Sequence, residues 1–192
     1  MFHMKKTDKF EKIFESIKLD FEFCLMGHDK TKLLYEEFLR IGKKGNTAEI
    51  GVFMGFSSKV LALINGNNTH ICYDTFEGIA HANPNEDIHK NGEFACSLEK
   101  VQKSINLPNV IYKKGTFPET FEEENMDFVF VHSDTDTYHG TKTTFDKFAK
   151  LLCIGGKFVC DDYKWKHCPG VEKAVKEFYS SNRKSFNLVE NG

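Results

Sequence analysis

The apolar positions of this chain follow two intervals, one typical of helices and one typical of strands. Apolar side chains recur every three or four residues over 10–19 and 30–41, which predicts two amphipathic helices. Beyond residue 45, short apolar runs alternate with longer helical segments. The runs predict strands and the segments predict helices. The strands are 47–52, 70–73, 110–112, 126–131, 157–160 and 186–189, and the helices are 58–64, 92–105, 141–152 and 171–179.

This alternation is typical of an α/β fold, in which a mostly parallel, twisted sheet carries helices on both faces. Right-handed connections bring the carboxyl ends of the strands to one edge of the sheet, where ligands bind. We expect residues 1–44 to supply N-terminal helices and residues 45–192 to form the ligand-binding domain, within one compact domain overall. The residues at the strand ends therefore carry the functional information.

Composition and charge fit one ordinary globular domain of 192 residues, since 40% of them are hydrophobic and 28% are charged. The net charge of −2 predicts no nucleic-acid partner and no anionic membrane surface. The first 20 residues lack the apolar core of a signal peptide, and no apolar run approaches a membrane span. Six scattered cysteines without a Cys-x-x-Cys pair favour free thiols over zinc or disulfides. Together these features predict a cytoplasmic protein.

The first predicted strand runs into a glycine turn, Glu49-Ile-Gly51-Val-Phe53-Met-Gly55-Phe-Ser57. Gly51 permits a tight turn and a close approach of the backbone to a ligand. Gly55 and Ser57 lie where the next helix begins, so free N–H groups face the same space. Phe53 stands where the dinucleotide fingerprint has its second glycine, which argues against a dehydrogenase. A glycine turn after any buried strand would look similar.

Acidic residues follow three of the other predicted strands. Asp74 ends the second strand, where a carboxylate can accept hydrogen bonds from both hydroxyls of a ribose. Asp134 and Asp136 follow the fourth strand, and Asp161 and Asp162 follow the fifth. Neighbouring strands lie about 4.8 Å apart, so the last four acids would meet and repel one another. Either a cation neutralises them or they splay into water. The apolar strands before them favour the cation, and oxygen ligands suit Mg²⁺, Ca²⁺ or Mn²⁺.

The histidines show no metal-binding pattern such as His-Glu-x-x-His. His132 adjoins the acids, but a partly buried, hydrogen-bonded ring is the favoured interpretation. Trp165 either lines a substrate pocket or covers the edge of the sheet. The remaining candidates fall in predicted loops, and they are His81, His89, His139 and His167.

Four segments, taken in order, resemble the macrocin O-methyltransferase family. They are Ala48-Glu-Ile-Gly-Val-Phe-Met-Gly-Phe-Ser57, Tyr73-Asp-Thr-Phe-Glu-Gly78, Asp134-Thr-Asp-Thr-Tyr138 and Gly155-Gly-Lys-Phe-Val-Cys-Asp-Asp-Tyr163. Their order and spacing match from about residue 45 to 180, and the second and fourth segments are the more specific. Members of that family methylate sugar hydroxyls of macrolide and aminocoumarin antibiotics. The resemblance implies a Rossmann-like methyltransferase fold, with S-adenosylmethionine and Mg²⁺ or another divalent cation as cofactors.

The same resemblance implies roles for individual residues. Asp134, Asp161 and Asp162 would hold the metal, and Asp136 would be the general base beside Asp134 in the catalytic centre. The S-adenosylmethionine site would be formed by Glu49, Gly51, Gly55, Ser57, Asp74, Thr75, Phe76 and Ser133.

Two departures from the family's pattern concern the ends of the chain. The N-terminal region, which helps to close the site in antibiotic-tailoring members, is short here. The methyltransferase sheet usually ends in an antiparallel strand, and no sequence for it follows Val189. We therefore expect either a minimal sheet or a shortened chain.

The predicted activity is methyl transfer from S-adenosylmethionine to a hydroxyl of a sugar-containing small molecule or glycan. The metal would chelate two neighbouring hydroxyls of the acceptor. A metal-dependent catechol-type O-methyltransferase is the alternative enzyme, and a catalytically silent binding module of the same fold is an alternative of another class. We expect no nucleic-acid or membrane partner, and the resemblance implies a homo-oligomer because related enzymes often assemble.

Overall fold

A five-stranded, all-parallel sheet with helices on both faces makes up the centre of the molecule. The computed structural model describes residues 6–21 and 25–190. The sheet order is β3-β2-β1-β4-β5. The strands are β1 (Asn46–Ile50), β2 (His70–Asp74), β3 (Val110–Lys114), β4 (Phe128–Ser133) and β5 (Leu152–Cys160). The helices are α1 (Lys6–Lys18), α2 (Gly27–Arg40), α3 (Phe56–Asn65), α4 (Leu98–Ile105), α5 (Tyr138–Phe148) and α6 (Pro169–Asn182). The predicted α/β architecture is confirmed.

The two faces of the sheet bury different apolar clusters. On one face, α1, α2 and α3 pack against β4, with Phe10, Phe38 and Phe130 in the same cluster. On the other face, Phe148 of α5 packs against Tyr73 of β2 and other strand side chains. The strands supply side chains to both clusters, and on β4 the neighbouring Phe130 and Val131 belong to opposite ones because successive residues of a regular strand point to opposite faces. The helices therefore hold the sheet from both sides and leave its carboxyl edge open.

Two helices begin where a hydroxyl caps the first turn. Ser97 Oγ accepts a hydrogen bond from Lys100 N at 3.4 Å at the start of α4, and Thr137 Oγ1 accepts one from Gly140 N at 3.2 Å at the start of α5. These caps satisfy N–H groups that have no partner within the helix. The prediction of a helix from residue 92 was wrong, because α4 begins only after Ser97.

The C-terminal part of the predicted pattern also needs correction. The predicted strand over 186–189 is irregular in the structure. Phe186 packs its ring against Phe158 at 5.9 Å and Phe178 at 5.1 Å, so its apolar side chain covers β5 and α6 without pairing the backbone. Strand β5 begins at Leu152, earlier than predicted, because α5 already ends at Phe148.

No disulfide joins the cysteines of the described residues, and Cys24 lies outside them. Within residues 6–21 and 25–190, no helix combines the length and apolar character that crossing a membrane requires.

His70 is a fully buried histidine at the start of β2. Its Nδ1 lies 2.8 Å from Thr47 Oγ1, and no described residue lies within hydrogen-bond distance of its Nε2. Burial lowers the pKa of His70 to about 4, the charge of Glu49 opposes that shift, and the charge of His132 adds to it. The imidazole is therefore neutral in the fold at pH values where it would bind a proton in the unfolded chain.

We predict that His70 makes the protein sensitive to mild acid. Above pH 6.5 neither state protonates the ring; between 6.5 and about 4 the unfolded chain binds the proton and the fold does not. As the pH is lowered through this range, the free energy of unfolding should therefore decrease by roughly 1 kcal/mol per pH unit because of this ring. Urea denaturation across this range should show a shallower pH dependence for His70→Asn than for the unmodified protein.

His167→Asn, at an exposed histidine, is measured beside it as the matched control, and the prediction requires an effect that is specific to His70→Asn. An unchanged pH slope in His70→Asn would contradict the prediction.

Candidate active site

One cavity of about 760 Å³ opens at the carboxyl edge of the sheet. Its walls come from the turn after β1, the end of β2, the ends of β4 and β5, the start of α2 and the loop over residues 78–94. This position is where parallel α/β sheets bind ligands. Eight of the predicted site residues line the cavity, and they are Gly51, Ser57, Asp74, Thr75, Asp134, Asp136, Asp161 and Asp162.

The glycine turn passes directly against the end of β4. Gly51 has a φ of +82°, and a Cβ built on it would lie 1.8 Å from the carbonyl oxygen of Asp134. Asp134 N in turn donates a hydrogen bond to Ile50 O at 2.9 Å. Only glycine meets both conditions, because it has no side chain and tolerates the left-handed backbone. The close approach fixes the turn beside the acids.

Asp74 organises the same turn through its carboxylate. Oδ2 accepts hydrogen bonds from Val52 N at 2.6 Å and Phe53 N at 3.0 Å, and Oδ1 accepts one from Phe76 N at 2.7 Å. Burial raises the pKa of Asp74, and these hydrogen bonds oppose the shift. The side chain therefore shapes the turn, and Asp74 also forms part of the cavity wall.

Glu49, predicted in the cofactor site, is fully buried beneath the turn and is not part of the cavity wall. Its carboxylate accepts a hydrogen bond from Ser58 Oγ and lies 2.7 Å from His132 Nδ1. His132 is its register partner on β4, so the pair ties β1, β4 and α3 together. The prediction of a buried, hydrogen-bonded His132 is confirmed. Glu49 lies behind the cavity wall, and its carboxylate comes within 4.8 Å of donor atoms of His132 and Asp134, so it is in contact range of one of the aspartates that line the cavity.

Gly55, Phe76 and Ser133 are also placed behind the cavity wall. A Cβ on Gly55 would lie 2.8 Å from Ile105, so this glycine makes room for α4. Phe76 is buried in the cluster that contains Val101 and Ile105. Ser133 is 1% exposed inside the sheet. None of the three is part of the cavity wall, and their place in a cofactor site stays a prediction.

The structure brings the predicted metal-binding aspartates together. Asp134, Asp161 and Asp162 each offer a carboxylate oxygen, and these oxygens all lie within 4.8 Å of one another. Asp136 and Asp162 share a hydrogen bond between their side chains. Both adopt a left-handed backbone, with φ of +57° and +58° respectively. Such backbone strain in non-glycine residues concentrates at functional sites.

Crowding of these carboxyl groups changes their proton affinity. Burial first, and then the charges of Asp161 and Asp136, raise the pKa of Asp134 well above its ordinary value. Burial and the hydrogen bond with Asp162 raise the pKa of Asp136 to about 7. A site that favours protonation of its acids this strongly is one that gains stability from a bound cation.

Two further groups at the cavity escaped sequence analysis. Lys30 Nζ lies 3.0 Å from Asp161 Oδ2 and 3.1 Å from Asp162 Oδ1. Its position more than 130 residues earlier gave no signal of this contact. A ring nitrogen of His89 lies within 4.8 Å of a carboxylate oxygen of Asp136 and of the sulfur of Cys168. His89 was predicted only as a loop residue. Trp165, whose place was left open, lines the cavity and is half exposed.

The loop over residues 78–94 is held onto the domain by the buried Asp87. Its Oδ1 accepts a hydrogen bond from Tyr138 N at 2.8 Å, and its Oδ2 accepts one from Asn83 N at 2.9 Å. The first contact anchors the loop at the start of α5, and the second closes a turn within the loop. Ile79 and His81 of this loop therefore form a defined wall of the cavity.

We predict that Gly51→Ala removes the turn that the cavity depends on. The substitution adds a clash with the Asp134 carbonyl to the cost of a left-handed backbone, and should lower the free energy of unfolding by about 3–5 kcal/mol. Gly42→Ala is the matched control, since Gly42 has a φ of +71° and nothing within 4 Å of its Cβ position. That control should lose only about 1–2 kcal/mol. Equal losses in urea denaturation would show that the contact with Asp134 is unimportant.

Comparison with solved structures finds the same fold in several methyltransferases. The O-methyltransferase NovP is 22% identical, with 84% of this chain and 74% of that chain covered and a TM-score of 0.70. The calicheamicin methyltransferase CalS11 is 15% identical, with 100% and 91% covered and a TM-score of 0.71. TomG from Streptomyces achromogenes is 17% identical, with 96% and 80% covered and a TM-score of 0.58. Similarity at this level of identity establishes the fold.

Comparison with protein families gives the assignment. No protein with a curated description matches the sequence. The profile of a family described as a methyltransferase domain matches residues 48–163, which run from the glycine turn through the Asp161-Asp162 pair. This matched segment holds the acids and the turn that form the cavity. The chain therefore belongs to this methyltransferase-domain family.

Proposed function

We propose that this protein is an S-adenosylmethionine-dependent O-methyltransferase that acts on a hydroxyl of a sugar-containing small molecule or glycan. One observation carries the proposal. The glycine turn that would receive the cofactor and the aspartates that would activate an acceptor face the same cavity of about 760 Å³. A methyl donor and an acceptor bound there would be neighbours, as a transfer reaction requires.

The cofactor half of the proposal rests on the turn after β1 and on the end of β2. Gly51 and Ser57 line the cavity near the N-terminus of α3, whose free N–H groups offer hydrogen bonds. Asp74 and Thr75 line it from the next strand, where a ribose would lie. TomG, which has the same fold, is described as a complex with S-adenosylmethionine. The resemblance of the turn to the macrocin O-methyltransferases points to the same cofactor.

The metal half of the proposal rests on the donor set. Asp134, Asp161 and Asp162 present only carboxylate oxygens, the ligands that Mg²⁺ and Mn²⁺ prefer. Their mutual repulsion, expressed in the raised pKa of Asp134, would be relieved by a dication. These residues therefore fit a divalent metal. When bound, such an ion supplies Lewis-acid polarisation of a hydroxyl oxygen.

The chemical step needs a base for the acceptor hydroxyl. The hydroxyl oxygen forms a bond to the methyl carbon, the carbon–sulfur bond of the sulfonium breaks, and S-adenosylhomocysteine leaves. Asp136 lies beside the aspartate cluster and takes up the hydroxyl proton in this scheme. The pKa of Asp136 is about 7 before any metal binds, and a dication on the neighbouring aspartates would lower it, so the carboxylate would be ionised and able to accept a proton at neutral pH. The cavity walls would have to hold the oxygen, the methyl carbon and the sulfur in line.

A sugar acceptor is supported by one of the proteins that share the fold. CalS11 is described as a TDP-rhamnose 3′-O-methyltransferase. The four sequence segments that resemble the macrocin O-methyltransferases point in the same direction. A cytoplasmic location and a homo-oligomeric state stay predictions of the sequence.

We predict that the metal centre is needed for transfer and not for cofactor binding. Labelled S-adenosylmethionine should methylate a member of a panel of sugar nucleotides, free glycosides and catechols in the presence of Mg²⁺. EDTA or Asp134→Asn should reduce the rate by about 100-fold or more. Calorimetry should show that Asp134→Asn binds S-adenosylhomocysteine within about threefold of the original affinity.

The exposed Asp146 supplies the control, because Asp146→Asn should change neither rate nor affinity. Full activity in EDTA would contradict the metal role. Failure of the unmodified protein to bind either form of the cofactor would contradict the proposed activity itself. Preference within the panel separates sugar acceptors from catechols.

A further inference from the structure

A lysine from the N-terminal helices reaches the aspartate cluster. Lys30 lies in the first turn of α2, and its ammonium contacts Asp161 Oδ2 at 3.0 Å and Asp162 Oδ1 at 3.1 Å. Neither aspartate is near Lys30 in the sequence. The contact therefore joins the first part of the chain to the end of β5, across the mouth of the cavity.

The ammonium of Lys30 contacts two of the carboxylates that would bind the metal. Asp161 and Asp162 belong to the group whose oxygens lie within 4.8 Å of one another. Their side chains are 19% and 14% exposed, so their charges are only partly screened by water. A cation close to both repels a second cation, because like charges at short distance oppose each other strongly in a partly buried site. Lysine and metal cannot both make full contact with this pair.

The Lys30 side chain can move away from the aspartates without disturbing the fold. Its side chain is 51% exposed, and its ammonium can return to water while the aliphatic stem stays on the protein surface. Residues 25–30 line the cavity, so the released ammonium stays at its wall. A monovalent ion brings no more charge than the ammonium it replaces. A divalent ion does bring more charge, so the need to displace the ammonium favours divalent over monovalent ions.

We propose that Lys30 is the resident counter-cation of the aspartate site and that a divalent metal binds by displacing it. Lys30 thus lowers the affinity of the site for the metal and raises its preference for divalent over monovalent ions. This inference rests on the metal centre of the proposed function. It goes further by assigning a role to a residue outside the segment that defines the family.

The test is a calorimetric titration of the full-length protein with Mn²⁺ at constant pH and ionic strength. Lys30→Met keeps the stem and removes the charge, and Lys30→Gln removes the charge with a polar end. Both variants should bind Mn²⁺ about tenfold more tightly than the unmodified protein, because no ammonium has to be displaced. High concentrations of KCl should compete more effectively with Mn²⁺ in these variants than in the unmodified protein.

Lys32→Met provides the matched control on the same helix. Two residues turn about 200° around a helix, so Lys32 faces away from Lys30. This variant should bind Mn²⁺ within about twofold of the unmodified protein. A similar gain in Lys32→Met would attribute the effect to net charge and overturn the role of Lys30.

The remaining outcomes separate this inference from the proposed function. Equal or weaker Mn²⁺ binding by the Lys30 variants, with binding by the unmodified protein intact, overturns the role of Lys30 and leaves the metal centre standing. No Mn²⁺ binding by any variant, together with normal binding of S-adenosylhomocysteine, overturns both the metal centre and the inference. Thermal unfolding of each variant verifies that it is folded.

Discussion

Compensation of negative charge at the sheet edge is the constraint on which the site depends. Asp134 and Asp136 follow β4, and Asp161 and Asp162 follow β5, so the parallel pairing of these strands forces four carboxyl groups into one corner of the cavity. Their repulsion is a cost that the fold accepts only if something offsets it. Protonation, the ammonium of Lys30 and a divalent ion are three ways to offset it, and they compete for the same oxygens. Protonation of the aspartates, binding of a metal and the position of α2, which carries Lys30, are therefore linked.

The buried layers beneath the cavity keep those carboxyl groups in place. Glu49 and His132 form a pair inside the sheet, and Gly51 brings the turn against the carbonyl of Asp134. A buried ion or hydrogen-bonded pair is weak evidence for added stability, but it fixes the relative positions of the strands that carry it. Asp74 holds the turn from the other side through three backbone N–H groups. The site is thus positioned by polar contacts, some of them buried behind the cavity wall and others, such as those of Asp74, at the wall itself.

Sequence alone predicted the parts of this arrangement that follow from local rules. Strands that alternate with helices have only one edge at which their carboxyl ends can meet, so the convergence of Asp134 with Asp161 and Asp162 followed from their positions after apolar runs. The same rules could not say which way a side chain points from the last residues of a strand. The predictions for Glu49 and Ser133 therefore did not foresee that both side chains are buried in the interior. Lys30 was missed because no local pattern records a contact between residues 131 positions apart. Phe186 was placed in a strand because an apolar side chain that covers a sheet leaves the same pattern as one that belongs to it.

The most direct measurement is a crystal structure of the protein grown with S-adenosylhomocysteine and Mn²⁺, with anomalous diffraction data collected for manganese. We predict an anomalous peak bonded to oxygens of Asp134, Asp161 and Asp162, with the Lys30 ammonium moved away. We also expect the adenosyl group to lie against the turn at Gly51, with its ribose near Asp74. Manganese found only elsewhere, or an adenosyl group bound away from this turn, would contradict the proposed site.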